Sequence, residues 1–391
     1  MSDVYIAGAI RTPIGKFGGS LSHLSAVDLG VIAAEAAMAN AGIAAENVAE
    51  TLFGHGRQAG CGPNPARQIA VRAGVPQSSP AMTVNQACAS GMRAITLAHQ
   101  SIQSGIGDVY LAGGTESMSN TPYLLPRARW GYRLGNGELV DAMYRDGFQC
   151  PVAEQLMGRT AENLVEEYGI SRAEQDRYAL ESQRRAYAAR DALAQEMIPI
   201  TLRDRKGNTS EFRIDEHVRS DASPDGMAKL KPVFKENGTV HAGNASGITD
   251  GAAACVVFSA EAAKRYGVTP MARIVAHANV GVDARRMGMG PVAAVQKLLA
   301  DTKMTLSDID LIEINEAFAA QVLACQRELN FDMGNTNVNG GAIALGHPIG
   351  CSGARIVVTL LHEMQRRNSH YGIATLCVSG GMGMAMLLER V

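Results

Sequence analysis

The sequence has seven cysteines but no C-x-x-C pair and no Cys/His cluster at zinc-ligand spacing, so no structural zinc site is expected. It has no membrane-length apolar run. The longest stretches, such as RIVVTLL, fall far short of the roughly 20 residues that span a bilayer. It has no excess of one charge: 36 Lys and Arg stand against 38 Asp and Glu, a formal charge of −2. No global field therefore selects nucleic acid or an anionic membrane as partner. No leader or address signal is expected either, because MSDVYIAGAIRTP enters a strand pattern at once and LLERV matches no terminal tag. An odd cysteine count without an export signal points to reduced thiols and a cytoplasmic location. In that setting a thiol is free to serve as a nucleophile.

What is present is a large apolar content, 46% over 391 residues, enough for an extensive core in two or three units. Two segments share a layout. ACASGMRAITLAHQSIQSGIGDVYLAGGTESMS starts at Ala87, and GCSGARIVVTLLHEMQRRNSHYGIATLCVSGGMGM starts at Gly350. Each opens with Cys and Ser-Gly, as suits a helix start, and continues with a helical apolar stripe. The stripes are Met92, Ile95, His99 and Ile102 in one, and Ile356, Leu360 and Met364 in the other. Each then turns through Gly into a strand. Upstream, a second helix–connection–strand pattern repeats more weakly. The expected fold is α/β, two duplicated halves with mixed, largely buried sheets. The N-terminal half is placed at 1–118, completed by 241–270, and the C-terminal half at 271–391. Residues 119–240 form an inserted loop domain, rich in charge and turns such as RDRKGN. Its one strong amphipathic helix is opened by a capping box at Ser171 and Glu174.

Four stretches set a reactive side chain among Gly, Ser or strand-end residues: NQACASGMR (Cys88), INEAFAAQ (Asn315, Glu316), NGGAIALGHPIGCSGAR (His347) and LCVSGGMGM (Cys377). Cys88 stands before a predicted helix N-terminus, where free N–H groups and the helix dipole favour thiolate over thiol. His347 precedes Pro348, which holds it extended and keeps it out of a helix. Cys377 ends a strand beside backbone stripped of side chains. Each also has an ordinary explanation when taken singly: a buried inert cysteine, a surface histidine, or a helix N-cap at Asn315. Their joint placement at strand ends and helix starts of duplicated halves favours chemistry. LAGGTES lacks the G-x-G-x-x-G spacing and following helix of a dinucleotide site.

These stretches, together with RTPIGKFGGSL, NPARQ, LAGGTESMSN, MGRTAENL and AGNASGITDGAAA, resemble the thiolases over essentially the whole chain. The resemblance implies a layered αβαβα fold with a loop domain, assembled as a homotetramer of two tight dimers. It implies acyl transfer through an acyl-Cys88 intermediate. His347 would activate the thiol, Cys377 would be the general acid/base at the α-carbon, and Asn315 would position a water in an oxyanion site with His347. A second oxyanion site is implied at the backbone N–H groups of Cys88 and Ser379. Ser246 and Arg219 match coenzyme A contacts; Met157, Met287 and Phe318 match residues lining the acyl end. Coenzyme A is expected as a substrate, with no separate cofactor and no metal. Cys61, Cys150, Cys255, Cys325 and Cys351 are read as structural.

Two positions depart from the family pattern. Ser379 stands where glycine is commoner, and Leu156 stands where short-chain biosynthetic members usually carry histidine. Leu156 argues for 3-ketoacyl-CoA cleavage or condensation beyond the acetoacetyl-CoA reaction alone. The first alternative is a biosynthetic thiolase that forms acetoacetyl-CoA only; the two remoter ones are a decarboxylating ketoacyl synthase, which uses one cysteine, and a silent acyl-CoA binder. The second cysteine and the NEAF stretch weigh against these last two.

Overall fold

The computed structural model describes residues 3–203 and 206–391; the start of the chain and the middle of RDRKGN lie outside the described residues. The first half builds β1 (Val4–Arg11), α1 (Ala26–Ala41), β2 (Glu50–Gly54), β3 (Ala81–Val84), α2 (Ser90–Gln103) and β4 (Val109–Ser117). The chain then leaves the sheet, and α3 (Arg172–Ala188) is the longest helix of this excursion. The capping box forms: the Ser171 backbone N–H donates to Glu174 Oε2 at 2.7 Å, and the Glu174 N–H donates back to Ser171 Oγ at 3.2 Å. The sheet resumes with β5 (Thr249–Ser259). The second half adds β6 (Ala272–Gly281), α4 (Gly290–Thr302), β7 (Leu311–Ile314), α5 (Ala319–Leu329), α6 (Ile349–Arg367), β8 (Tyr371–Val378) and β9 (Met382–Arg390).

The main strands join in one ten-stranded sheet in the order β7-β8-β9-β6-β1-β5-β4-β2-β3, with a short Gly15–Lys16 strand beside β5. The duplication is visible in the pairing itself. In the first half β1/β5 and β5/β4 are antiparallel, while β4/β2 and β2/β3 are parallel. In the second, β6/β9 and β9/β8 are antiparallel, β8/β7 is parallel, and Thr336 adds a parallel bridge to Ile312. Within the sheet, among the described residues, the halves are joined by two strand-paired positions, Tyr5 with Arg273 and Ile6 with Ala272.

Helices α2 and α6 pack on each other between the two half-sheets. Helix α1 covers the outer face of β1, β4 and β5, and α4 covers β6, β8 and β9. This gives the αβαβα layering. The predicted stripes on α2 and α6 are buried in one continuous core. Contact between the central helices is close enough to require glycine: a Cβ at Gly91 would lie 2.8 Å from the Ala354 nitrogen, and one at Gly353 would lie 2.6 Å from the Met92 nitrogen. That reciprocal pair makes α2 and α6 equivalent across the duplication. The excursion is tied down through Arg11 at the end of β1. Its guanidinium pairs with Glu196 at 2.5 Å and with both oxygens of Asp215 at 2.7 and 2.9 Å, all buried. A buried guanidinium needs such partners. Among the described residues, no helix is long and apolar enough to cross a membrane.

Candidate active site

Cys88 lies in a single 3₁₀ turn, Ala87–Ala89, immediately before α2. The preceding residue, Ala87, is held at φ 45°, a left-handed conformation that a residue with a Cβ adopts rarely. Local hydrogen bonds enforce it. The Ala87 N–H donates to Asn85 Oδ1 at 3.0 Å, and the Gln86 N–H donates to Ser90 Oγ at 2.9 Å. The Ser90 hydroxyl in turn donates to the Ala87 carbonyl at 2.6 Å. Strain concentrated beside one side chain is a common mark of a working residue.

Around Cys88 the structure gathers residues from distant stretches. Strand β8, which carries Cys377, packs against the Ala87–Ala89 turn, and the N–H groups of Ser379 and Cys88 favour the charged form of the Cys88 thiol, while the Cys88 charge opposes that of Cys377. Ser379 is not among the residues with positive φ. The left-handed turn falls on Gly380 and Gly381, at φ 87° and 84°, so a Cβ at 379 carries no left-handed strain. His347 is buried, with Nε2 3.4 Å from Asn315 Nδ2 and Nδ1 2.5 Å from Ser352 Oγ. The Ser352 hydroxyl donates to the Pro348 carbonyl at 2.9 Å. It therefore accepts from His347 Nδ1–H, an assignment that leaves Nε2 as the free acceptor facing Asn315.

Electrostatics at the site follow from burial. Cys88 is raised above the ordinary thiol value because burial outweighs the opposing influences of the Arg57 charge and the two N–H groups. This corrects the expectation that the helix start would favour thiolate: the site is too dry. Burial likewise pushes Cys377 well up, and pushes His347 down to about 3. The resting set is two neutral thiols and one neutral imidazole.

Asn315 follows β7, but it does not cap a helix. Helix α5 begins later, with Phe318 as its N-cap, and the Asn315 side chain turns to His347 instead. Its Oδ1 is buried without a protein partner among the described residues. Glu316 is buried beneath it and accepts from Tyr178 Oη at 2.8 Å, Ser182 Oγ at 2.7 Å, Asn337 Nδ2 at 3.0 Å and the Ile343 N–H at 3.1 Å. Met287 and Phe318 pack in one buried cluster with Cys377, with Met157 against it. Ser246 is half-buried, and its N–H donates to the Ala317 carbonyl at 3.0 Å beside Phe318. Arg219 is exposed, its N–H on Gln183 Oε1 at 2.8 Å; among the described contacts none links it to the cysteines.

The other cysteines are free thiols; burial pushes Cys255, Cys325 and Cys351 to about 12, and Cys150 is also buried. Cys61 is partly exposed, its sulfur 3.8 Å from the Arg57 carbonyl.

Two family models cover almost the entire chain: "Thiolase, N-terminal domain" matches residues 4–261 and "Thiolase, C-terminal domain" matches residues 268–390. The chain belongs to the thiolase family. It is 50% identical over 392 residues to the acetyl-CoA acetyltransferase of Cupriavidus necator, covering 100% of both chains. The acetyl-CoA acetyltransferase of Syntrophomonas wolfei superposes with a TM-score of 0.98 at 43% identity, covering 100% of both chains. Human mitochondrial 3-ketoacyl-CoA thiolase, solved in complex with CoA, gives 0.96 at 41%, covering 100% of this chain and 98% of that one.

The motifs alone do not single out several residues of this thiolase site. Glu116, at the end of β4, sits where Cys377 sits in the second half: Glu116 pairs with Gly251 as Cys377 pairs with Gly383. Its carboxylate accepts from the N–H groups of Gly56, Arg57 and Gly350 at 3.1, 3.0 and 2.8 Å, and meets His55 Nε2 at 3.0 Å. It thereby fixes the start of α6, next to His347. The only sequence signal was the duplication, which makes the end of β4 equivalent to the end of β8.

Proposed function

We propose that this thiolase-family chain is an acyl-CoA C-acyltransferase that cleaves 3-ketoacyl-CoA with coenzyme A and runs the reverse Claisen condensation. Cys88 Sγ attacks the 3-keto carbon while its proton passes to His347 Nε2, which is neutral and free to accept it. The C2–C3 bond then breaks, and its electron pair becomes the enolate of acetyl-CoA. Cys377 protonates C2, and Asn315 with His347 holds the enolate oxygen. The backbone N–H groups of Cys88 and Ser379 hold the carbonyl oxygen of the acyl-Cys88 thioester. The coenzyme A thiol then gives its proton to the Cys377 thiolate and attacks that carbonyl, and acyl-CoA leaves as Cys88 sulfur takes back the proton held by His347. The sequence is redox-neutral and uses coenzyme A as a substrate, with no further cofactor and no metal. The observation that best supports it is the packing of β8, which carries Cys377, against the Ala87–Ala89 turn that carries Cys88, one from each half.

Ser246 and Arg219 are read as contacts for coenzyme A, and Met157, Met287 and Phe318 as the acyl end. Residues 119–240 are read as a cover over the substrate and a source of contacts in a homotetramer. The free thiols suit a reducing, cytoplasmic setting. With Leu156 in place of histidine, chains beyond four carbons should be cleaved at useful rates. One buried CH₂ is worth about 0.8 kcal/mol, a few-fold per carbon in kcat/KM where the pocket fits. Steady-state rates with 3-ketoacyl-CoAs of increasing length test this. Strict activity on acetoacetyl-CoA would overturn the broader reading, and no turnover of any of them would overturn the function.

A further inference from the structure

Glu316 follows Asn315 in the INEAFAAQ stretch, and the reaction proposed above gives it no task. Its carboxylate is buried among donors of which none is charged. Tyr178 Oη and Asn337 Nδ2 donate to Oε1, and Ser182 Oγ and the Ile343 N–H donate to Oε2. Burying a carboxylate is costly, and hydrogen bonds to both oxygens offset that cost. The seat is closely fitted, since a Cβ on Gly341 would lie 2.4 Å from the Glu316 carboxyl carbon.

The directions of these bonds are fixed. Asn337 Oδ1 accepts from the Ile314 N–H at 2.8 Å, which leaves Nδ2 to donate to the Ile314 carbonyl at 2.8 Å and to Glu316. Ser182 Oγ accepts from the Gly341 N–H at 3.1 Å and so gives its own proton to the bond with Glu316. Burial and the Glu316 charge push Tyr178 well above the ordinary phenol value, which keeps its hydroxyl a donor. The Ile343 N–H can only donate. Each oxygen therefore faces a donor that cannot turn round, and a glutamine amide would set its NH₂ against one of them.

Three segments meet at this carboxylate. They are the end of β7, the Asn337–Ile343 stretch that leads to His347, and helix α3 of the inserted region, which supplies Tyr178 and Ser182. Asn315 depends on that meeting point. Its Nδ2 lies 3.4 Å from His347 Nε2, a long contact, and its Oδ1 has no protein partner among the described residues. Its aim is therefore set through its backbone. The Asn315 N–H donates to the Thr375 carbonyl at 2.9 Å, the Asn337 amide clamps Ile314 before it, and Glu316 anchors the chain after it. His347 has supports of its own, in Ser352 Oγ and in its backbone N–H, which donates to the Gly247 carbonyl at 3.0 Å.

We infer that Glu316 is a positioning residue that aims the Asn315 amide at the enolate oxygen and ties that aim to helix α3 of the inserted region through Tyr178 and Ser182. The inference rests on the acyltransferase reading above. Glu316 touches no substrate and moves no proton; it acts through Asn315. Its loss should weaken the enolate step and spare acylation, which uses Cys88, His347 and the Ser379 N–H.

The test measures both steps with acetyl-CoA. Rapid-quench intact-mass spectrometry gives the rate of acetyl transfer to Cys88, and deuterium wash-in at the acetyl methyl group reports the enolate. Glu316→Gln should slow wash-in by about 10²-fold, the scale of a misplaced oxyanion donor, while the acetylation rate changes little. Tyr178→Phe removes one donor and keeps the carboxylate, so it should slow wash-in by about three- to tenfold, again without slowing acetylation. Equal slowing of both steps would make Glu316 a general support of the fold and overturns the inference. If Glu316→Gln does not fold, Tyr178→Phe decides, and wash-in at the unmodified rate in that variant overturns it as well. An unmodified enzyme that neither acetylates nor exchanges overturns the acyltransferase reading and the inference with it.

Discussion

The two cysteines differ in surroundings, and the proposed mechanism gives them different tasks. Cys88→Ala should lose covalent labelling by acetyl-CoA and nearly all turnover. Cys377→Ala should still acylate at Cys88, because His347 and the Ser379 N–H remain, but should lose α-proton exchange by about 10²–10⁴-fold. Intact-mass spectrometry beside deuterium wash-in at the acetyl methyl group separates these outcomes; wild-type exchange in the Cys377 variant would remove its assigned role. The raised Cys88 thiol has a second consequence. Raising a thiol favours its neutral form, so iodoacetamide alkylation of Cys88 should keep rising above pH 9, the ordinary thiol value, instead of levelling there. The imidazole, at about 3, should add no inflection near pH 6.5. Cys88 and Cys377 were legible because small residues surround them in the sequence itself, and His347 because a glycine precedes it and a proline follows. Their ionisation was not, since helix position is local while burial is set by the far half of the chain. His55, Arg57 and Glu116 were missed for the same reason: Glu116 meets Gly56 and Gly350, which are 60 and 234 residues away.

Elements were more legible than their joints. The helix–strand repeat from Ala87 and from Gly350 shows because each copy carries its own apolar stripe. The cap that Asn315 suggests when taken singly does not form, because α5 waits until Phe318, which the sequence cannot show. The joints themselves are glycine and charge. A Cβ on Gly114 in β4 would lie 2.2 Å from the Gly350 carbonyl oxygen and 2.9 Å from Gly91 Cα, both backbone. Gly114→Ala should therefore push the start of α6 outward, costing about 1–3 kcal/mol and lowering turnover through His347. Urea denaturation should show a lower midpoint with an unchanged slope. The His55–Glu116 clamp holds the same joint by charge. His55 is raised to about 9 from 6.5, so its contribution is complete below pH 6.5 and is lost as pH rises through about 9. Glu116 is lowered, so its contribution is present above the ordinary 4.5 and is lost as pH falls through the lower folded value. Thermal melts across pH 6 to 10 should decline on the alkaline side, and His55→Gln should flatten that decline. An unchanged alkaline slope in the variant would show that His55 is not its source.

At the scale of the whole molecule, the inserted region leaves apolar surface that a lone chain has no use for. Trp130 is 88% exposed, Leu134 97% and Leu139 62%, all within one stretch, with Tyr123 at 60% beside it. Single exposed apolar residues are ordinary, but a contiguous set on a projecting segment marks an interface. The stretch stands outside the main sheet, and the core described above is complete without it. It is therefore suited to joining preformed dimers, as the tetramer proposed here requires, and closed two-fold assemblies of this kind pair the same patch with itself. Light scattering at micromolar concentration should give four times the chain mass. Replacing Trp130 and Leu134 by serine should yield a dimer whose melting temperature falls little, since no buried contact within the chain is lost. A tetramer that survives both substitutions would move the interface elsewhere, and a monomer for the unmodified chain would remove the assembly altogether.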